Sequence, residues 1–141
     1  MAYTFQVTID SVAPHPLADW WAEALGWERE PSNEDFIRSM VDQGHAEESD
    51  TTRHNGELVW TVGAAINHPT GGAPRVLFQL VPEAKSVKNR VHLDVRVGAD
   101  HVAAEVERLT ARGATVLHHG KQGPYRWVTL ADPEGNELCI T

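Results

Sequence analysis

Cysteine is almost missing from this sequence. Cys139 is the only one, so no disulfide can form within the chain, and a reducing, cytoplasmic setting is expected. Long apolar runs are missing as well. None approaches the roughly 20 residues a membrane helix needs, so no membrane partner is expected. The opening Met1-Ala2-Tyr3-Thr4-Phe5 has neither a basic segment nor an apolar stretch, which reads as no signal peptide. Positive charge is scarce: 12 Lys and Arg stand against 20 Asp and Glu, a formal net charge of −8. That balance argues against a nucleic-acid partner.

Hydrophobic residues make up 41% of the 141 residues and charged residues 23%. Such a chain can build one core, or two small repeats sharing one. The acid is concentrated. Residues 28–50 hold eight acids (Glu28, Glu30, Glu34, Asp35, Asp42, Glu47, Glu48, Asp50) against Arg29 and Arg38, a net −6. A solvated insertion and an acidic lid both fit this segment.

Patterning gives the elements. Phe5, Val7 and Ile9 alternate with Gln6, Thr8 and Asp10, the period of a half-buried strand over 4–10. Pro14 and Pro16 set up a helix carrying Leu17, Trp20, Trp21, Ala24 and Leu25, closed by Gly26. Ser32 to Asp35 reads as a variant capping box before a helix over 32–43 with a stripe of Phe36, Ile37, Met40 and Val41. This helix is expected to cap a pocket or form a dimer contact. Residues 45–55 read as loop, and 58–66 and 76–81 as strands. Lys85, Lys88 and Arg90 lie on a solvated connector. A second alternating strand follows, with Val91, Leu93 and Val95 against His92, Asp94 and Arg96. Asp100 is placed to cap a helix with Val102, Val106 and Leu109 inward, ended by Gly113. Residues 114–117, 127–130 and 138–140 read as strands, with His118 and His119 on a loop between the first two.

The order strand, helix, three strands occurs twice, with similar spacing from Gln6 to Gly26 and from His92 to Gly113. The fold expected is α+β: two βαβββ modules, about 3–82 and 89–141, forming a concave eight-stranded mixed sheet around a central cavity. Module 1 carries an insertion at about 32–55 with an added helix. Apolar strand faces go to the helices, so the opposite faces define a small-molecule pocket. Its candidates are Gln6, Thr8, Gln79, His92, Asp94, Arg96, Trp60, Trp127 and Cys139. His45, His54 and His68 lie in or beside the insertion, either solvated or reaching the pocket.

Three runs carry a family resemblance: Leu25-Gly26-Trp27, the stretch from Asn89 to Val95, and Trp127 through Cys139 with its Asp132-Pro133-Glu134-Gly135-Asn136 turn. With Val81-Pro82-Glu83-Ala84-Lys85 they resemble the vicinal oxygen chelate superfamily of glyoxalases, bleomycin-resistance proteins and extradiol dioxygenases, and its glyoxalase-like subgroup in particular. The resemblance implies a divalent metal (zinc, iron, nickel or manganese) held by inward residues of four strands. Carried over, those positions are Gln6, Gln79, His92 and Cys139. Gln79 and Cys139 stand where the resemblance calls for carboxylates. Hard octahedral ions favour carboxylate and imidazole, whereas a thiolate suits zinc. Isomerisation of a glutathione hemithioacetal is therefore not expected. Two functions stay open: a glyoxalase-like lyase, isomerase or dioxygenase with a degenerate metal site, and a metal-free ligand-sequestering protein of the bleomycin-resistance type. A homodimer is compatible with both.

Overall fold

The computed structural model describes residues 1–141. They divide into two compact units, Met1–Glu83 and Ala84–Thr141. Unit 1 opens with β1 (Val7–Ser11), α1 (Pro14–Leu25) and β2 (Glu28–Arg29). It continues through α2 (Glu34–Asp42), β3 (Thr51–His54), β4 (Glu57–Trp60), β5 (Gly63–Asn67) and β6 (Val76–Leu80). Unit 2 runs β7 (Leu93–Val95), α3 (Val102–Ala111), β8 (Thr115–Gln122), β9 (Tyr125–Ala131) and β10 (Glu137–Ile140).

Each unit is a βαβββ module, and the two sheets have the same topology. Unit 1 orders its strands β1-β6-β5-β2 and unit 2 orders them β7-β10-β9-β8. The first and last strands of each module pair in parallel (β1 with β6, β7 with β10), and the remaining pairs are antiparallel. Each sheet turns its apolar face to its own helix. Ile66, Phe78, Trp21 and Leu17 close the core of unit 1; Leu130, Leu138, Ile140 and Leu109 close that of unit 2. Helix α1 starts at Pro14, where the missing N–H costs nothing. It ends at Gly26, whose φ of 68° lies in the left-handed region that glycine tolerates best.

The elements depart from expectation where pairing partners decide them. The first strand starts at Val7, not Thr4, because β6 begins opposite it at Val76; Phe5 is left 73% exposed. The opening strand of unit 2 is only three residues long for the same reason, and Val91 is exposed. The eighth strand is β2, inside what reads as acidic insertion. Residues 45–55 are not all loop: Thr51–His54 pairs with Glu57–Trp60 as a hairpin turned by Asn55 (φ 50°) and Gly56 (φ 83°). This is the two-residue Asn-Gly turn whose twist suits hairpins. The run 58–66 is two strands in two sheets, broken at Thr61-Val62. His118 and His119 are strand residues, paired with Thr129 and Val128.

Two caps differ as well. Asn33, not Ser32, caps α2 by accepting from the Phe36 N–H at 3.0 Å. The Ser32 hydroxyl instead donates to the Leu58 carbonyl. Asp100 lies within a 3₁₀ turn ahead of α3, which has no side-chain cap. The α2 stripe splits: Ile37 is buried while Phe36 is 51% exposed, and the helix packs on β4.

Candidate functional site

In unit 2 the strand period and the register build one cluster. His92 and Asp94 are two residues apart and share a face. The parallel pairing sets Cys139 beside Asp94. One ligating atom from each of the three lies within 4.8 Å of the others. His92 Nδ1 is 3.3 Å from an Asp94 oxygen and 3.9 Å from the Cys139 sulfur. The sulfur also lies 3.3 Å from the Thr129 hydroxyl. His92 and Asp94 are open to solvent, and Cys139 is buried.

This cluster opens into a cavity of 390 Å³ whose wall includes Trp127, Thr129, Glu137 and Lys88. Trp127 is set there by Gly120, its partner across β8 and β9. A Cβ at position 120 would collide with the indole, so only glycine leaves room for the ring. Lys85 holds Glu137 at 3.0 Å, and the Asn89 N–H donates to its other oxygen at 3.1 Å. Burial alone would raise the Glu137 pKa. The hydrogen bonds from Lys85 and from backbone N–H groups, with the Lys85 charge, outweigh it and hold the carboxyl below its ordinary range. Lys85 is therefore part of the wall's support and not merely solvated connector.

Behind this wall, Asp132 is buried and accepts from the N–H groups of Glu134 and Asn136 and from the Asn136 amide, each at 2.9 Å. The Asn136 carbonyl side of that amide accepts from Asn89. The turn before β10 is thereby fixed, and with it Glu137 and Cys139.

Unit 1 has its own cavity, of 790 Å³. Gln79, Trp60 and Leu77 line it. So do four side chains that the sequence did not single out as one group: His15 and Asp19 of α1, Arg29 of β2 and His54 of β3. His15 Nε2 donates to the Trp60 carbonyl at 2.7 Å, and its Nδ1 accepts from Arg29 at 3.0 Å. Arg29 also binds Asp19 Oδ1, and Asp19 Oδ2 receives His54 Nε2 at 2.5 Å. Burial, first, and the charge of Arg29 push the His15 pKa below 6.5, against the opposing pull of the Trp60 carbonyl. Arg29 Nε is buried without a partner.

The predicted site residues thus fall into two groups. His92, Asp94, Trp127 and Cys139 meet in unit 2, while Gln79 and Trp60 line the cavity of unit 1. Gln6, Thr8 and Arg96 line neither cavity. Gln6 precedes β1 and accepts from Arg75 at 3.1 Å, a residue that Glu30 also grips at 2.7 and 2.8 Å. Of the insertion histidines, His54 reaches a cavity, His45 is exposed, and His68 braces its own turn. The Asn55-Gly56 turn was the available signal for His54: it places a hairpin where the polarity of 45–55 suggests loop.

A family model described as the glyoxalase-like domain matches residues 6–141. No curated protein matches the chain. Solved structures share the fold at low identity. A point mutant of the fosfomycin resistance protein FosX of Listeria monocytogenes, complexed with Mn(II) and 1S,2S-dihydroxypropylphosphonic acid, superposes with a TM-score of 0.67 at 10% identity, over 99% of this chain and 91% of that one. A glyoxalase/bleomycin resistance protein/dioxygenase family enzyme from Burkholderia phytofirmans gives 0.61 at 16% identity, over 96% and 94%. The oxidase ChaP-H2 gives 0.61 at 15% identity, over 99% and 93%.

Proposed function

Because the chain belongs to the glyoxalase-like domain family, we propose that it takes a small oxygen-bearing molecule at the unit 2 cavity, with a divalent ion held by His92, Asp94 and Cys139. One observation carries this: three different donors converge on one open sheet face, beside a cavity. The donor set fits. Zn–S and Zn–N bonds of about 2.3 and 2.0–2.1 Å put tetrahedral ligand atoms roughly 3.5 Å apart; the His92–Asp94 and His92–Cys139 spacings of 3.3 and 3.9 Å bracket that value, and all three donor atoms lie within 4.8 Å of one another. A thiolate, an imidazole and a carboxylate favour zinc or iron(II) over magnesium or calcium.

When bound, such an ion would polarise a ligand oxygen as a Lewis acid. The chain's own groups do the rest. Trp127 supplies an apolar wall, the Thr129 hydroxyl can donate to the Cys139 sulfur, and Lys85 keeps Glu137 ionised and in place. This reading uses Asp94 in place of Gln6 and Gln79. A FosX relative binds Mn(II) and a phosphonate, which supports a metal-and-oxyanion reading of the shared fold.

A metal-free ligand binder is the second reading. The 3.3 Å contact of His92 with Asp94 favours it, since a pair of this kind can satisfy both groups without an ion. Elemental analysis of untagged protein separates the two. Stoichiometric zinc or iron, lost in His92→Ala and in Cys139→Ala, supports the metal reading. No metal in the purified protein, and no calorimetric zinc binding in reducing buffer, leaves the metal-free binder.

A further inference from the structure

The network in unit 1 is asymmetric in a way that assigns its protons. Arg29 can only donate, so the His15 Nδ1 facing it at 3.0 Å carries a lone pair. The Trp60 carbonyl can only accept, so His15 Nε2 carries the hydrogen. His15 is therefore neutral, buried, and has no ring nitrogen left for a ligand. His54 is different. Its Nε2 faces Asp19 Oδ2 at 2.5 Å and must donate there. In the neutral ring its Nδ1 then holds the lone pair; no protein group is hydrogen-bonded to that nitrogen, and the ring lies on the cavity wall.

Asp19 is in turn held from the far side by Arg29, and the Asn55 amide nitrogen lies 3.4 Å from Asp19 Oδ2 and 3.3 Å from His54 Nε2, so the 2.5 Å contact with Asp19 is the shorter one at that ring nitrogen. The result is a carboxylate–imidazole pair in which the carboxylate fixes both tautomer and ring orientation, the arrangement a proton acceptor needs. The rest of the wall says what kind of molecule fits. Both cavity arginines are paired in charge, Arg29 with Asp19 and Arg75 with Glu30, although the buried Arg29 Nε has no hydrogen-bond partner. No unmatched positive charge is left to attract an anion. Trp60, Val59, Ala65 and Leu77 supply apolar surface.

We propose that His54, oriented by Asp19, is the proton acceptor of a second site in unit 1, which takes a neutral, partly apolar small molecule bearing an acidic O–H or activated C–H bond. The ligand's proton passes to His54 Nδ1, and its bonding electrons stay with the ligand or leave with a departing group. The imidazolium keeps its Nε2–H on Asp19. Asp19 is a positioning residue and does not itself take the proton.

The probe is 5-nitrobenzisoxazole, a neutral aromatic with one acidic C–H. Removing that proton forms a nitrile and breaks the ring N–O bond, releasing a coloured nitrophenolate with no co-reactant. The protein should accelerate this about 100-fold or more over free imidazole at equal concentration and pH. His54→Gln can still donate to Asp19 but has no base, and should lose the acceleration while keeping the wild-type amide spectrum. Asp19→Asn should lower kcat about 10-fold with little change in KM, and ¹⁵N shifts should show His54 redistributing from the Nε2–H to the Nδ1–H tautomer. His45→Ala, an exposed control in the same insertion, should change nothing. A rate no better than imidazole, a rate retained in His54→Gln, or an Nδ1–H tautomer in the unaltered protein overturns the proposal. Metal analysis of unit 2 is independent of all these outcomes, so the two sites stand or fall separately.

Discussion

Units 1 and 2 use one topology with different side chains. Both order their strands first-fourth-third-second. The fourth strand of each carries a fully buried residue facing the module's helix: Phe78 in unit 1, Ile140 in unit 2. Each is registered against a half-buried aliphatic of the first strand, Ile9 and Val95 respectively. The opposite faces have diverged. Unit 2 leaves imidazole, carboxylate and thiol near one another and open to a small cavity. Unit 1 offers Gln79 and Leu77 there and assembles its ionisable groups from the insertion and α1. The comparison teaches that the repeat constrains the apolar face, where packing permits little change, and leaves the polar face to vary with chemistry.

The largest effect should come from emptying those equivalent core positions. Phe78→Ala is expected to cost about 3–5 kcal/mol and Ile140→Ala about 2–5 kcal/mol, read from urea unfolding. Both should lower the midpoint strongly. If either side chain could be removed at a cost below about 1 kcal/mol, the claim that the two fourth strands play the same structural part would fail. Next comes the buried turn of unit 2. Asp132→Ala strands two backbone N–H groups and the Asn136 amide, for an expected loss of about 2–4 kcal/mol. Because that turn leads into Glu137 and Cys139, any metal or ligand affinity measured at unit 2 should fall with it.

The same contrast explains what the sequence made legible. The repeat, both main helices and the apolar faces were readable, because periodicity of 2 and 3.6 reports directly on which side is buried. Strand ends were not, since a partner strand sets them: nothing in Val91 itself says that β10 is too short to pair with it. Of the residues that line the unit 2 cavity, His92, Asp94, Trp127 and Cys139 were legible from strand parity. The set carried over from the resemblance does not include Asp94, which lies close to His92 and Cys139, and it includes Gln6, which accepts from Arg75. The unit 1 network was hidden because its members lie on three elements separated by as many as 39 positions, from His15 to His54. Only the tertiary fold brings them together.

A smaller effect distinguishes the units by pH. His15 has a depressed pKa in the folded chain, whereas in the unfolded chain it titrates near 6.5. Between those two values the unfolded state binds more protons. The stabilisation is therefore complete above about pH 6.5 and is lost as pH falls toward and through the folded value. The melting temperature should drop on acidification in that window, and the drop should be shallower in His15→Gln. That variant should itself lose about 1–2 kcal/mol at pH 7.5, having disturbed the partners of Arg29 and of the Trp60 carbonyl. A pH slope identical in the two proteins would show that the coupling lies elsewhere.

The smallest effect tests the most detailed correspondence between the modules. The turn before β6 mimics the turn before β10. His68 Nδ1 accepts from the Thr70 N–H at 3.1 Å, two residues on, as Asp132 accepts from Glu134; a proline follows each of them. The two acceptors differ in surroundings. Asp132 is 3% exposed and serves a third donor that water cannot reach. His68 serves Thr70 alone, through its N–H and its hydroxyl at 3.0 Å, and lies edge-on to Trp27 with ring centroids 5.5 Å apart. When His68 is removed, water can replace it at the Thr70 donors, so only the turn preference and part of the aromatic contact are lost. His68→Ala should therefore cost about 0.5–1 kcal/mol, several-fold less than Asp132→Ala under the same urea titration. His68→Asp should recover the turn, because a carboxylate can accept the same N–H, but not the contact with Trp27. Equal losses at positions 68 and 132 would mean that burial does not separate the two turns. No recovery in His68→Asp would mean that the aromatic contact, and not the turn bond, is what His68 contributes.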